Sequence, residues 1–143
     1  MNEDPTLALA RQILAAQPFS GVVGAQVEAF GDGRAVLRLP IEDRHRQQYG
    51  LVHGGVYAYL ADNALTFAAG SALGPSVLTS GFAITYVRGA RDGVLLARAR
   101  VVHHDARHAV CAVEIHVADD LGAERLCCVA QGTVLATAGK AAP

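Results

Sequence analysis

A long apolar segment, running from the His53-Gly54-Gly55 turn to Gly70 without proline, limits what this chain can fold into. At about sixteen residues, such a segment is too long for a typical strand and too short to span a membrane, so it predicts a buried helix. Apolar side chains occupy almost every side of it, which is typical of a helix enclosed by other elements. The segment also contains one acid, Asp62, beside Asn63. A carboxylate in such surroundings is costly unless another group pairs with it.

The residues in front of this helix give it an N-terminus with two successive glycines, Gly54 and Gly55. The first backbone N–H groups of a helix have no partner within it and lie at the positive end of its dipole. Glycine adds no side chain that would cover these groups. We therefore expect uncovered amide donors at the helix start and a buried acid, Asp62, a few turns away, and we look for chemistry in this pair.

Length and composition indicate one domain that spans residues 1–143. Hydrophobic residues make up 52% of the 143 residues, which is enough apolar material for a core. A net charge of −1 and a pI of about 6.6 indicate neither a nucleic-acid-binding protein nor a membrane-binding one. The acidic N-terminus is not typical of a signal peptide, so we expect none, and the three cysteines are typical of core thiols in a reducing compartment. We expect a cytoplasmic protein.

The rest of the chain predicts one short helix and six strands. Asp4 followed by Pro5 indicates a helix over about residues 5–17, which ends before Pro18. Two strands precede the central helix, the first from Val22 to Phe30, and four follow it, with short turns between them. Because short turns join antiparallel neighbours, the fold class is α+β. The last residues, 138–143, are predicted to be a frayed tail.

Alternation of residues assigns the inner face of each strand. In the strand that follows the central helix, Val77 to Arg88, we place Leu78 on the same face as Phe82, Ile84 and Tyr86, and the smaller Thr79 on the opposite face. The three later strands place these residues inside: Leu95, Ala97, Ala99 and Val101; Ala109, Cys111, Val113, Ile115 and Val117; Leu126, Cys128, Ala130, Gly132, Val134 and Ala136.

A six-stranded antiparallel sheet wrapped around one long buried helix, with a short N-terminal helix, is the hotdog fold. The segment Gly50, His53-Gly54-Gly55, Leu60 and Asp62 resembles the signature of the PaaI-type acyl-CoA thioesterases, and Ile84 to Arg88 is similar to a strand of that family. The resemblance covers roughly residues 21–137. It implies that the chain hydrolyses an acyl-CoA to the free acid and CoA, with no metal or redox cofactor.

The resemblance assigns roles to Gly55 and Asp62. A thioester carbonyl under attack develops negative charge on its oxygen, and the Gly55 N–H is suited to stabilise that oxygen. Asp62 lies seven residues further on, where the family has its catalytic carboxylate. It would act as a general base on water or attack the carbonyl itself. The residues alone do not distinguish these roles from two simpler ones, in which the glycines only permit a tight turn and Asp62 is a structural buried acid.

The family also implies that Asp62 of one subunit faces the His53-Gly54-Gly55 turn of another, so that the active unit is at least a dimer. A dimer of dimers is the other expectation. Gln47 or Gln48 would replace an Asn of the family that orients the water or the thioester. Thr79 falls where the family has a hydroxyl near the attacking water.

Several further positions complete the predicted substrate site. His53 would position the thioester, unless it is a satisfied core histidine. Gly54 and Asn63 would line the site, and surface arginines such as Arg88 or Arg91 would meet the phosphates of CoA. The acyl group stays open among phenylacetyl, hydroxybenzoyl and medium-chain groups, because aromatic residues on a buried helix are more often core than pocket.

Other classes of function remain as alternatives or are excluded. A hotdog module that binds an acyl-CoA without cleaving it is the main alternative, since fold does not fix function. A hotdog hydratase would need an Asp and a His at a spacing that the chain lacks. His103 and His104 are neighbours on a strand and point to opposite faces, so they predict a solvated turn rather than a metal site.

Overall fold

In the computed structural model, which describes residues 4–137, one antiparallel sheet of six strands packs against a long helix, α3. The strands are β1 (Gln26–Gly31), β2 (Arg34–Pro40), β3 (Val77–Tyr86), β4 (Val94–His104), β5 (His108–Ala118) and β6 (Glu124–Ala136). Their order in the sheet is β1-β2-β4-β5-β6-β3, so β1 and β3 form its two edges. This architecture is the predicted hotdog fold. The predicted frayed tail, residues 138–143, lies outside the described residues.

The helix α3 (Gly54–Leu73) is longer than the sequence suggested, because it continues through Gly70. It ends where Gly74 takes a positive φ of 94°, which a residue with a side chain rarely adopts. Leu60, Leu65 and the alanines between them are fully buried against the sheet. Small alanine side chains let the helix lie close to the strands while the leucines fill the space between them. The part of the chain that the structure describes contains no helix long and apolar enough to cross a membrane.

The N-terminal region contains two helices, where only one was predicted. The first, α1 (Pro5–Ala15), begins as expected, because the Asp4 carboxylate accepts a hydrogen bond of 2.8 Å from the N–H of Thr6. The second, α2 (Pro18–Val23), takes the first two residues of the predicted first strand, so that strand begins at Gln26 and not at Val22. Proline is favoured at the first position of a helix, and Gly24 ends α2 with a φ of 92°.

The alternation predicted for β4 and β5 is confirmed, and in β6 it holds from Cys128 onward. Leu126, which we placed inside, lies outside the core, because Cys127 is an extra residue at a β-bulge and is itself fully buried. The inward residues of β4 and β5, from Leu95 to Val117, pack in or against the core, while Arg98 and Arg100 are exposed. Cys111, Cys127 and Cys128 are all buried, free thiols, as small hydrophobic residues of the core. Burial raises the pKa of Cys111 to about 11 and that of Cys128 to about 12.

Candidate active site

Asp62 lies on α3 beside the first residues of β3. The Thr79 hydroxyl donates a hydrogen bond of 2.6 Å to Asp62 Oδ1. Thr79 is also 2.9 Å from the hydroxyl of Thr66, which in turn donates to the backbone carbonyl of Asp62 at 2.8 Å. Asp62 and the two threonines line an open cavity of about 440 Å³. The carboxylate is therefore half-buried, and not enclosed as predicted, because it lines this open cavity at the edge of the sheet.

A β-bulge brings Thr79 to the helix. Thr79 pairs with Val134 and Gly81 with Thr133, so Ser80 is an extra residue on β3. Before the bulge, Thr79 faces α3, whereas after it the even-numbered residues Phe82 and Ile84 pack against the core. Our assignment of Leu78 to the face of Phe82, and of Thr79 to the opposite face, was wrong for this reason. Leu78 is 47% exposed on the outer side.

The start of α3 is capped by the residue in front of it. His53 is the N-cap, and its Nδ1 accepts a hydrogen bond of 2.8 Å from the N–H of Gly55. This hydrogen bond covers the Gly55 amide, which we had predicted to be uncovered. Since Nδ1 accepts, the proton of the neutral ring is on Nε2, and the imidazole is exposed rather than a satisfied core histidine. A Cβ on Gly55 would lie 3.0 Å from His53 Nδ1, so glycine leaves room for this cap.

Residues distant in sequence hold this turn in place. The backbone N–H of His53 donates to the carbonyl of His45 at 2.8 Å. His45 is itself 3% exposed, accepts from the N–H of Glu42 at Nδ1 and lies 2.7 Å from the carbonyl of Val23 at Nε2. The Tyr86 hydroxyl donates to the carbonyl of Gly54 at 2.8 Å. The glycine turn is therefore fixed to a buried histidine on one side and to the end of β3 on the other.

The predicted glutamines lie in the loop that leads to the turn. The side-chain oxygen of Gln47 accepts from the N–H of Tyr49, and its carbonyl accepts from the N–H of Gly50 at 3.0 Å, so Gln47 shapes this loop. Gln48 is exposed. Arg91 donates to the carbonyl of Tyr49 at 2.9 Å, which places a cation beside the same loop, and Arg88 is exposed.

Asn63 belongs to a polar cluster that the sequence did not predict. Its Nδ2 donates to Gln17 Oε1 at 3.1 Å, to the Tyr59 hydroxyl at 3.0 Å and more weakly to Ser20 Oγ at 3.4 Å. The Tyr59 hydroxyl donates to Ser20 Oγ, which donates to Gln17 Oε1. We call these four residues the amide cluster; it lines the cavity of Asp62.

The remaining histidines and acids of the described residues do not form a metal site. Within residues 4–137, no group of His, Cys, Asp and Glu side chains could hold a metal ion. Asp105 accepts from the backbone N–H groups of Arg107 and His108, which lowers its pKa and closes an exposed turn. His103 and His104 are exposed on the strand before this turn. The structure therefore has the predicted solvated turn, with Asp105 to His108 exposed.

Comparison with known proteins identifies the family. A model of the thioesterase superfamily matches residues 49–124, a range that contains the glycine turn, Asp62 and Thr79. The chain belongs to this superfamily. The 1,4-dihydroxy-2-naphthoyl-CoA hydrolase of Escherichia coli is 31% identical to it over 110 residues, which are 76% of this chain and 78% of that protein.

Solved structures support the same assignment. A thioesterase family protein from Silicibacter pomeroyi superposes with a TM-score of 0.81 at 27% identity, covering 88% of this thioesterase and 93% of that chain. A mutant of the phenylacetic acid degradation protein PaaI from Thermus thermophilus superposes with a TM-score of 0.74 at 27% identity, covering 85% of this chain and 100% of that chain. The predicted resemblance to PaaI-type proteins is confirmed, and the protein is a thioester hydrolase.

The structure brings some of the predicted residues of this thioesterase together and keeps others apart. Asp62 and Thr79 are in contact, as are His53 and Gly55. The two pairs are separated, because seven residues of α-helix at ~1.5 Å rise per residue extend for about 10 Å. Thr66 was missed, although its spacing of four residues from Asp62 on a helix was a usable signal.

Proposed function

We propose that this thioesterase hydrolyses acyl-CoA thioesters with Asp62 as the general base. The carboxylate has one oxygen bonded to Thr79, and its cavity has room for water. In this reaction Asp62 accepts a proton from a water molecule whose oxygen bonds to the thioester carbon. The C–S bond then breaks, the CoA sulfur takes up the proton, and the free acid leaves. The contact between Asp62 and Thr79 is the observation that carries the proposal.

The carbonyl oxygen would be stabilised by the Gly55 N–H of a second subunit. Donors must lie about 3 Å from the developing oxyanion, and the N–H in the same chain is about 10 Å from Asp62 along the helix. This separation favours a site shared between two copies over a site within one chain, and we infer that arrangement. The exposed imidazole of His53 would turn aside, or share the Gly55 amide, when the carbonyl arrives.

The edge of the sheet supports association of two copies. The strand β3 is the last of the sheet, so one side of its backbone lacks a neighbouring strand among the described residues. Leu78 and Tyr86 on this strand are 47% and 49% exposed. A second copy paired along β3 would satisfy these backbone groups and bring its glycine turn towards Asp62.

An acyl-CoA panel with a thiol reagent tests hydrolysis. We expect the wild-type protein to release CoA from at least one aromatic or short- to medium-chain acyl-CoA. The alternative, a module that binds acyl-CoA without cleaving it, predicts binding in calorimetry with no release of thiol from any member of the panel.

Mixing of two inactive variants tests whether the site is shared. Asp62→Asn and Gly55→Pro each damage one half of the site, and refolding an equal mixture forms heterodimers with one undamaged site of two. About half of the dimers are mixed, so about a quarter of the wild-type activity should return. A site contained in one chain would give no recovery, because every chain then carries one lesion.

A further inference from the structure

One peptide bond at the start of α3 is held at both of its ends. The carbonyl of Gly54 and the N–H of Gly55 belong to the same planar, trans peptide unit, so they point in opposite directions. The Tyr86 hydroxyl donates to that carbonyl at 2.8 Å, and His53 Nδ1 accepts from that N–H at 2.8 Å. We call this unit the Gly54–Gly55 peptide. A contact that fixes the direction of its carbonyl also fixes the direction of its N–H.

The Gly54–Gly55 peptide depends on such contacts more than the other peptides of the helix. A glycine lies on each side of it, so no side chain limits the backbone torsions there. The N–H of Gly55 also lies in the first turn of α3, where N–H groups have no partner within the helix. When a thioester carbonyl takes the place of the His53 ring, the bond from Tyr86 is the side-chain contact that stays on this peptide.

Tyr86 is itself fixed to the sheet and to the helix. Its backbone pairs with Cys128 of β6, and the N–H of Val87 donates to the carbonyl of Cys127 at 2.8 Å. Its ring packs edge to face on Tyr57 of α3, with 5.8 Å between the ring centroids. Partial burial raises the pKa of Tyr86, so the hydroxyl keeps its proton and donates. The hydroxyl is therefore held in place and is not a mobile surface group.

A hydrogen bond to the carbonyl of a peptide also changes the other end of that peptide. It polarises the peptide, which makes the N–H a stronger donor. The thioester oxygen carries more negative charge in the transition state than in the bound substrate, so a stronger donor stabilises the transition state more. The effect should therefore appear in kcat and leave KM nearly unchanged.

We propose that Tyr86 is a positioning residue for hydrolysis, whose hydroxyl orients and polarises the Gly54–Gly55 peptide so that its N–H stabilises the oxyanion. This inference rests on the proposed function, since it assumes that the Gly55 N–H meets the thioester oxygen. Tyr86 acts through the peptide and needs no contact with the substrate. Antiparallel pairing of two copies along β3 would bring the Tyr86 end of one strand to the Thr79 end of the other, which is the arrangement that a shared site requires.

Tyr86→Phe tests the proposal, because it keeps the ring and removes only the hydroxyl. With the acyl-CoA that the wild type hydrolyses fastest, we expect kcat to fall by about 3- to 10-fold, as for one neutral hydrogen bond, and KM to stay within about twofold. Tyr57→Phe is the matched control and should keep the wild-type kcat, because it removes the hydroxyl of the other ring in the pair, which does not bond to the Gly54–Gly55 peptide. Sedimentation of each variant checks that its subunits associate as in the wild type.

The amide resonance of Gly55 in the ligand-free protein gives a second readout, which does not depend on hydrolysis. Loss of the bond to the Gly54 carbonyl changes the polarisation of the peptide, so the ¹⁵N resonance of Gly55 should move in Tyr86→Phe and keep its position in Tyr57→Phe. A purely structural role of Tyr86 would lower the stability of Tyr86→Phe in urea and leave this resonance in place.

A kcat of Tyr86→Phe equal to that of Tyr57→Phe, or an unmoved Gly55 resonance, overturns the proposal. A higher KM with an unchanged kcat also overturns it, because the hydroxyl would then contribute to substrate binding and not to the transition state. Any of these results, in an enzyme that Asp62→Asn inactivates, leaves the proposed function intact. A wild-type protein that hydrolyses no acyl-CoA refutes the proposed function and the catalytic part of this inference together, whereas a Gly55 resonance that moves in Tyr86→Phe keeps Tyr86 as the residue that orients the peptide.

Discussion

Replacement of Thr79 by valine removes the hydroxyl that holds the carboxylate of Asp62 while it keeps the shape of the side chain. The bond from Thr79 Oγ1 to Asp62 Oδ1 is 2.6 Å long, and Thr66 Oγ1 is 2.9 Å from the same hydroxyl. A hydrogen bond to a charged group contributes ~1.5–3 kcal/mol, and we take the lower half of that range because Asp62 is only half-buried. At ~1.4 kcal/mol per tenfold in rate, Thr79→Val should lower kcat by about 10- to 40-fold.

The assay for this prediction is continuous release of CoA thiol at saturating acyl-CoA. Thr79→Ser keeps the hydroxyl and should stay within about threefold of the wild-type kcat, as should Thr85→Val, an exposed threonine further along β3. Urea unfolding of all three variants checks that their stabilities are similar. A kcat for Thr79→Val within twofold of the wild type would refute the argument that this hydroxyl holds the catalytic carboxylate.

Three further predictions concern the elements around the site. His45→Phe removes a buried imidazole and leaves its two partners, the Glu42 N–H and the Val23 carbonyl, without a hydrogen bond. It should lower the free energy of unfolding in urea by about 2–4 kcal/mol. His103→Phe, at an exposed position, should change that free energy by less than about 0.5 kcal/mol. Gly132→Ala places a Cβ 2.5 Å from Phe82 Cβ and 2.6 Å from the carbonyl oxygen of Gly81, so we expect lower stability and lower kcat together. Gly81→Ala is the control, because its Cβ would have no atom within 4 Å. A cysteine reacts as its thiolate, and burial raises the pKa of Cys111 and Cys128. We therefore expect no thiol of the native protein to react with a disulfide reagent at pH 8, and all three to react in denaturant. Fast reaction of the native protein would contradict this prediction.

The main elements of the fold could be predicted from periodicity. Alternation gave the buried residues of β4, β5 and most of β6 correctly, because successive side chains of a regular strand point to opposite faces of the sheet. The long apolar segment after Gly55 predicted α3, because a segment of that length and composition is typical of a buried helix. Its C-terminal end was placed too early, because one glycine, Gly70, does not break a helix that packs against a sheet.

The parts that were missed depend on single residues or on tertiary contacts. Ser80 adds one residue to β3, and one extra residue moves every residue before it to the opposite face. Gly81 was the only local sign of this bulge. The valines at the end of α2 suggested a strand, although Pro18 and Gly24 mark a helix start and end. Since α2 was missed, the approach of Gln17 and Ser20 to Asn63 could not be predicted.

Asp62→Asn is the substitution that tests the central claim most directly, because it keeps the size of the side chain and removes its ability to accept the proton of water. Release of CoA is measured for the wild type, for Asp62→Asn and for Asp120→Asn, an exposed acid in the turn before β6. We predict that Asp62→Asn loses about 10²-fold or more in kcat while it still binds phenacyl-CoA, a thioether that cannot be hydrolysed, and that Asp120→Asn matches the wild type. A folded Asp62→Asn variant that hydrolyses acyl-CoA at the wild-type rate would contradict the account.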